Sequence, residues 1–238
     1  LMAAKIPLPK KIYGHGWILS GEEKMSKSKG NILDPIDIIE TYGLDPLRYY
    51  LIKEVSFGSD GNISQDRLED CINSDLANNY GNLCQRVTAF AEKNCSLKVP
   101  KIKKFNEDDL VILNRFTENL PVIRKEIDNQ NINFYINFIM NALFEANKYF
   151  NDQEPWKKKD DKDRLNTIVY TSLEVIRKIS FMLYPIIPDS IVKALKIFNL
   201  NSDDINLESL ATHNYLIAGK DLNKIEILFK KIEKKNDW

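Results

Sequence analysis

The sequence predicts a mainly α-helical protein, in which a helical bundle follows a small α/β unit. Apolar residues recur at helical spacing through most of the chain between residues 64 and 199. Residues 11–25 instead favour β structure and contain a turn. We therefore predict an α/β unit over residues 1–62 and a helical unit over residues 63–238. About four or five antiparallel helices would bury the apolar stripes against one another.

The α/β unit is predicted from local signals. Its β-favouring side chains indicate two strands around a turn and are Ile12, Tyr13, Trp17, Ile18 and Leu19. Asp34-Pro35 and Asp45-Pro46 each provide an N-cap followed by a proline at the first helical position. They predict one helix that ends at Gly43 and another that runs to about Val55. Turn-forming residues predict a loop over residues 56–62.

The helical unit begins with a long helix, predicted from residue 64 to about residue 94 with Ser64 as its N-cap. The apolar residues on one side of it are Ile72, Leu76, Leu83, Val87 and Phe90. Gly81 interrupts the pattern and indicates close packing or a bend. Later helices are predicted over residues 107–128, 132–151, 163–184 and 189–199. Residues 96–105 are predicted to form a linker, and residues 225–229 are predicted to form a short strand or helix in a weakly patterned tail.

Composition restricts the class of protein. The 34 basic and 34 acidic residues cancel, which argues against coating of nucleic acid through global charge but allows local recognition. The three cysteines have no metal-binding spacing, so they are predicted to be reduced thiols of a cytoplasmic protein. No metal site is expected in this chain. No stretch of about 18 apolar residues occurs, so no membrane span is expected.

A short run of lysine and serine carries the clearest chemical signal. Lys24 and Lys27 lie three residues apart, with Ser26 and Ser28 between and beyond them, in a loop that follows the strands. Ammonium groups in such a loop can neutralise phosphate charge as it develops in a transition state. The alternative is a lysine-rich loop that is simply solvated.

A second group of residues could contact RNA. Asn82 and Arg86 lie four residues apart and therefore share a face of the long helix, where they could pair with bases or remain solvated. Trp156 follows Pro155 and precedes three lysines, between two predicted helices. It could stack on a base beside phosphate-neutralising charges, or it could fold back onto the bundle.

Several strings in the chain resemble one enzyme family. Lys24-Met25-Ser26-Lys27-Ser28 matches the signature loop of the class I aminoacyl-tRNA synthetases. Four wider strings resemble the methionyl-tRNA synthetases most closely. These strings are His15-Gly16-Trp17, the run from Gly21 to Asn31, Asp45-Pro46-Leu47-Arg48-Tyr49-Tyr50-Leu51 and the run from Phe57 to Ser64. The resemblance covers almost the whole chain and weakens after about residue 200. It implies an anticodon-binding helical bundle that follows a part of the catalytic domain.

The resemblance also implies roles for individual residues. Lys27 would stabilise the pyrophosphate side of the transition state for methionyl-adenylate formation from methionine and ATP with Mg²⁺. Lys24 would assist it, and Met25, Ser26 and Ser28 would complete the loop. The methionyl group would then pass to the terminal ribose of tRNA(Met).

In the same family an Asn-Leu-x-x-Arg string and a Trp after Pro read the anticodon CAU. Asn82-Leu83-Cys84-Gln85-Arg86 and Pro155-Trp156 match those strings. The resemblance therefore assigns anticodon binding to Asn82, Arg86 and Trp156.

The family also needs a nucleotide-binding half with a His-x-Gly-His-type motif, which is absent from this sequence. We therefore expect a C-terminal fragment that is monomeric, inactive in aminoacylation by itself and able to bind the anticodon stem-loop. The alternatives are a stand-alone, non-catalytic tRNA-binding module and a class I synthetase for valine or leucine.

Overall fold

The protein is described here by a computed structural model, which covers residues 1–20, 23–25 and 33–233. Its helices confirm the mainly α-helical prediction. In chain order they are α1 (Pro35–Tyr42), α2 (Leu44–Glu54), α3 (Gln65–Cys71), a π-helix (Ile72–Gly81), α4 (Asn82–Cys95), α5 (Glu107–Asp128), α6 (Ile132–Asp152), α7 (Lys162–Leu183), α8 (Pro188–Leu195) and α9 (Leu207–Ala211). Short 3₁₀ turns cover Met2–Ala4, Pro155–Lys157, Lys196–Phe198 and Ser202–Asp204.

The strands form one small mixed sheet. They are β1 (Ile18–Ser20), β2 (Glu23–Lys24) and β3 (Gly61–Ile63), in the spatial order β2-β1-β3. β1 pairs antiparallel with β2 and parallel with β3. The two predicted strands are therefore present but begin later than Ile12 and Tyr13, which lie in irregular backbone. The loop predicted over residues 56–62 was wrong at its C-terminal end, where β3 begins at Gly61. β3 forms by pairing with β1, which is distant in the chain and is not indicated by local turn residues.

Gly16 permits a close approach beside this sheet. A Cβ atom at Gly16 would lie 2.1 Å from the Ser59 carbonyl oxygen. Next to it, the Trp17 amide donates to Oδ1 of Asp60 at 2.6 Å, and the Gly61 amide donates to the Trp17 carbonyl at 2.9 Å. The absence of a side chain at residue 16 thus lets two segments of the matched strings hydrogen-bond to each other.

Gly16→Ala is expected to lower the free energy of unfolding by about 1–3 kcal/mol, because the new methyl group would overlap backbone and not a movable side chain. Urea titration would measure the loss. Gly14→Ala is the matched control, since a Cβ there would have no atom within 4 Å. Equal effects of the two substitutions would contradict the close-approach account.

The helix caps predicted for α1 and α2 are confirmed only in part. Asp34 caps α1 as predicted, and its Oδ1 accepts from the Ile36 amide at 2.8 Å. Asp45 was predicted to cap the second helix, but α2 begins at Leu44 with Gly43 at its N-cap position. The Asp45 carboxylate instead accepts from the Ser190 amide at 2.6 Å. A long-range partner at the start of α8 therefore replaces the predicted local one.

The long helix predicted over residues 64–94 is continuous but changes its winding. Ser64 caps α3 as predicted, and residues 72–81 then form a π-helix. The buried apolar residues of this stretch include Leu68, Cys71, Ile72, Leu76 and Tyr80, so one side of the helix faces the core throughout the change of winding. Gly81 is buried, and an added Cβ would lie 3.1 Å from the Leu76 carbonyl oxygen of the same π-helix.

The helical bundle is built around α7. Its residues 167–183 are all buried, whereas α4, α5, α6 and α8 surround it with one apolar side each. A connection of three residues, 129–131, joins α5 to α6, which places these two helices side by side. The predicted helices over residues 107–128, 132–151 and 163–184 are confirmed within one residue at each end.

The chain after α9 was predicted less well. Residues 225–229 form neither a strand nor a helix, so that prediction was wrong. This segment is held by side chains instead: Phe229 is buried, and Asn73 of the π-helix exchanges two hydrogen bonds with the Ile232 backbone at 2.9 and 2.7 Å. An asparagine amide presents one donor and one acceptor, which replaces strand pairing here.

Candidate nucleic-acid interface

The signature loop begins where the small sheet ends. Lys24 is the last residue of β2, and its backbone lies opposite Leu19 of β1. Met25 is half-buried and packs against the hydrophobic core. Ser26, Lys27 and Ser28 lie outside the described residues. Description resumes at Leu33, one residue before the cap of α1, so the sheet and α1 are the two described flanks of the loop.

Arg86 of α4 is held on one side by α6. Its guanidinium carbon lies 5.5 Å from the centre of the Phe150 ring, and Nη2 donates to Oδ1 of Asn151 at 2.5 Å. A cation over an aromatic face and a hydrogen bond together restrict the side chain. The guanidinium is thus pre-oriented, with donors left over for a ligand.

Trp156 lies in the 3₁₀ turn that follows α6. Pro155 is buried, whereas Trp156 is 42% exposed. Its ring meets Phe150 edge-on, with ring centres 6.2 Å apart and planes at 70°. Both interpretations of this residue are therefore partly met, because the indole rests on the bundle and keeps exposed surface on which a base could stack.

Phe150 joins two of the three predicted residues, since Arg86 and Trp156 both contact its ring. Asn82 is exposed at the first position of α4, one turn before Arg86. Its side chain has no hydrogen-bond partner within residues 33–233. The structure thus places a free amide, an oriented guanidinium and a supported indole along one side of the bundle.

A polar cluster fixes the turn that carries Trp156. Arg164 of α7 donates to Oε1 of Gln153 at 2.6 Å and, through both terminal nitrogens, to the Asp109 carboxylate. Tyr149 also donates to Asp109, and burial raises the pKa of its phenol. Glu154 adopts φ 43°, which turns the chain sharply before Pro155. These contacts determine the position of the indole before any ligand arrives.

Sequence reasoning missed Phe150, Asn151 and Gln153. Phe150 continues the apolar side of α6 and resembles an ordinary core residue, so only its position next to the proline turn could have indicated its role. Asn151 and Gln153 give no signal before the packing of α4 and α7 against α6 is known.

Helix α2 connects the sheet unit to the bundle. Arg48 donates to the carbonyls of Ile186 and Pro185 at 2.7 and 2.9 Å. Tyr49 and Lys53 both donate to Oδ2 of Asp75 in the π-helix, at 3.0 and 2.5 Å. Helix α2 is therefore joined by hydrogen bonds both to the π-helix that precedes Asn82 and to the backbone that follows α7.

Within the described ranges, no group of three or more His, Cys, Asp or Glu side chains could hold a metal ion. Cys71 and Cys84 are buried free thiols, and Cys95 is a partly buried one, as the spacing predicted. Among the described helices none is long and apolar enough to cross a membrane.

Comparison with known proteins agrees with this arrangement. Residues 1–88 match the family model for tRNA synthetases of class I (M), and residues 99–238 match the model for the anticodon binding domain of methionyl tRNA ligase. A sheet unit with the signature loop, joined to such a bundle, defines a class I aminoacyl-tRNA synthetase. Within that class, the chain belongs to the methionyl-tRNA ligase family.

Individual relatives match over nearly the whole chain. A methionine–tRNA ligase from Brucella suis is 43% identical over 85% of this chain and 40% of that protein, and one from Rickettsia conorii is 39% identical over 98% and 47%. A structure of Mycobacterium tuberculosis methionyl-tRNA synthetase in complex with methionyl-adenylate aligns with a TM-score of 0.89 and 34% identity, over 96% of this chain and 45% of that one. The chain thus spans less than half the length of these relatives.

Proposed function

We propose that this chain supplies the signature loop and the anticodon-reading surface of a methionine–tRNA ligase. The reaction is ATP-dependent formation of methionyl-adenylate, followed by transfer of the methionyl group to tRNA(Met). The observation that carries the proposal is the joint support of Arg86 and Trp156 by Phe150, one helical turn from the free amide of Asn82. These are the residues that the family resemblance assigns to the anticodon CAU.

Each of the three side chains has a chemistry suited to an unpaired base. The exposed indole offers a stacking face, the guanidinium offers paired donors, and the amide offers one donor and one acceptor for a base edge. The chain carries no net charge, so the binding energy would come from these local contacts more than from phosphate attraction.

The loop would act on phosphate. Lys27, assisted by Lys24, would neutralise charge on the departing pyrophosphate, while Met25, Ser26 and Ser28 shape the loop. Mg²⁺ would accompany ATP as part of the substrate. Orientation of ATP and methionine requires a nucleotide-binding half, and we expect no aminoacylation by this chain without it. We place the boundary between the loop-bearing unit and the anticodon-binding unit at residues 62/63, and we expect a cytoplasmic monomer.

Trp156→Ala tests the anticodon-reading surface. We expect it to weaken binding of a CAU stem-loop by about 1–3 kcal/mol, because base stacking on the indole is lost. Isothermal titration at one stated salt concentration would measure both proteins. The matched control is Trp17→Ala, which removes an exposed indole beside β1. The proposal is wrong if the two substitutions weaken binding equally.

The catalytic part needs a separate assay. Methionine-dependent ATP–pyrophosphate exchange should appear only when a nucleotide-binding half is present, and Lys27→Ala should then reduce its rate. Anticodon binding without any such exchange would favour a non-catalytic tRNA-binding module. A preference for a valine or leucine anticodon would instead favour another synthetase of this class.

A further inference from the structure

A second exposed aromatic residue lies beside the proposed anticodon surface. Phe144 of α6 is 64% exposed, and it is not among the residues that pack against the core. Single exposed apolar residues are common and by themselves indicate nothing. Its position on α6 gives this one a specific setting.

Phe144 shares a helix face with residues that contact the long helix opposite. One turn before it, the sulfur atom of Met140 lies 2.8 Å from the Tyr49 hydroxyl oxygen. One turn after it, Asn147 donates to Oδ1 of Asn79 at 2.6 Å. Two turns after it, Asn151 accepts from Arg86. Residues at spacings of three, four and seven lie on one side of a helix, so Phe144 borders the same groove between α6 and the long helix.

The groove has a composition that suits nucleobases. Three amide side chains, Asn79, Asn147 and Asn151, make hydrogen bonds across this contact, the last of them to the Arg86 guanidinium. Amides present one donor and one acceptor and match base edges without requiring charge. At one end of the groove lies Trp156, and farther along α6 lies Phe144.

The spacing fits a base next to the anticodon. Phe144 precedes Asn151 by seven residues, which corresponds to about 10 Å along the helix axis at 1.5 Å per residue. That distance is about three stacking steps of 3.4 Å. The three anticodon residues and Phe144 could therefore be reached by neighbouring nucleotides of one RNA loop.

We propose that Phe144 is a second stacking platform, which takes the face of an RNA base adjacent to the three anticodon bases. The inference rests on the proposed function, because it assumes that an RNA loop lies along this groove. Stacking on a phenyl ring tolerates any base, so Phe144 would add affinity without reading sequence. Asn82 and Arg86, by contrast, would determine the preference for CAU, because their amide and guanidinium groups can pair with base edges.

The test compares two quantities, affinity and anticodon preference. For Phe144→Ala we expect a loss of about 5–100-fold in affinity for stem-loops, with the same factor for CAU and for a single-base change, since stacking is sequence-tolerant. Phe144→Leu should show most of the loss seen in Phe144→Ala, because leucine keeps apolar area but has no ring face. Phe144→Tyr keeps the ring face and should bind like the unsubstituted protein. Val111→Ala, at a residue 65% exposed on α5, is the matched control and should bind like the unsubstituted protein.

A second measurement locates the base. The fluorescent base 2-aminopurine, placed immediately before or after CAU, should be quenched on binding at one of these positions, and Phe144→Leu should remove that quenching. Loss of affinity in Phe144→Ala together with loss of quenching in Phe144→Leu supports the proposal. Normal affinity in both Phe144→Ala and Phe144→Leu overturns it, and so does a changed anticodon preference in Phe144→Ala.

The outcomes also separate this proposal from the proposed function. If the unsubstituted chain prefers CAU and Phe144→Ala binds normally, only the stacking platform is wrong. If the chain binds stem-loops without preferring CAU, the anticodon assignment fails, and a loss of affinity in Phe144→Ala still supports stacking. If no stem-loop binds, both proposals are overturned.

Discussion

Replacing Arg177 with methionine is expected to lower the free energy of unfolding by about 3–5 kcal/mol, because it leaves a buried carboxylate without its cation. Arg177 and Glu174 of α7 are both fully buried, and Nε of Arg177 donates to Oε2 of Glu174 at 2.5 Å. Glu174 also accepts from the Tyr215 amide, and Arg177 donates to the Ser209 carbonyl. The pair therefore ties the segment around α9 to the central helix. Chemical denaturation would measure the loss.

The control separates burial from pairing. Lys148 and Asp152 form an exposed ion pair on α6, so Lys148→Met should change stability by at most about 0.5 kcal/mol. A double variant that also replaces Glu174 with leucine should lose less than Arg177→Met alone, because neither charge of this pair is then left without its partner. If Arg177→Met and Lys148→Met had equal effects, the buried pair would not stabilise the fold as described.

The second large effect is a loss of stability at alkaline pH. Burial raises the pKa of the Cys71 and Cys84 thiols from 9.0 to about 12. Between these values the folded protein keeps two protons that the unfolded chain releases, so each thiol lowers stability by up to about 1.4 kcal/mol per pH unit. Below pH 9 their contribution is fully present.

Lys178 has the opposite effect on stability over part of this pH range. Burial and the neighbouring Arg177 lower the pKa of its ammonium group from 10.5 to about 8. Between pH 8 and 10.5 the unfolded chain therefore holds a proton that the folded protein has lost, and stability rises with pH. Above pH 9 the losses from the buried thiols oppose this gain. Above pH 10 buried tyrosines whose pKa is raised by burial, among them Tyr49, Tyr135 and Tyr170, add further losses, and above pH 10.5 only losses remain.

Denaturation midpoints at pH 8, 9, 10.5 and 11 would measure this balance. We expect a small gain in stability from pH 8 to 9, where the change at Lys178 dominates, and a fall at higher pH that is steepest above pH 10.5. Cys84→Ala should make the fall shallower by removing one buried thiol whose raised pKa contributes to it. An unchanged slope in that variant would show that the buried thiol does not control the alkaline loss.

The sequence predicted the helices well where local signals and burial coincide. The caps at Asp34 and Ser64 and the apolar stripes of α5, α6 and α7 are all present in the structure. What could not be predicted depends on partners distant in the chain. β3 requires β1, and Asp45 accepts from an amide in the first turn of α8 and does not cap its own helix. The backbone at Ile232, near the end of the described chain, is held by Asn73.

The long helix that contains the π-helix shows a second limit of prediction from the sequence. The stripe chosen from the sequence omitted Tyr80, whose hydroxyl lies 2.7 Å from the buried Ser180 hydroxyl of α7. The change to π-helical winding over residues 72–81 has no signal in the apolar pattern, because spacings of three and four also occur in ordinary α-helices. Tyrosine is often exposed, so pattern alone did not place it in the core.

The candidate site was also predictable only in part. The family strings placed Asn82, Arg86 and Trp156 on the chain, but they could not show that Phe150 supports two of them. Nor could they show that Arg164 and Gln153 fix the tryptophan turn. Such supporting contacts arise between helices and become visible only in the folded bundle.

The most direct test of the central claim is the binding of two RNA stem-loops to the unsubstituted chain at the same salt concentration. One carries CAU, and the other differs from it at a single anticodon base. We expect the CAU stem-loop to bind more tightly by at least about 1 kcal/mol, because base-specific contacts are lost with the other stem-loop. Equal binding of the two would contradict the assignment of Asn82, Arg86 and Trp156 to anticodon reading.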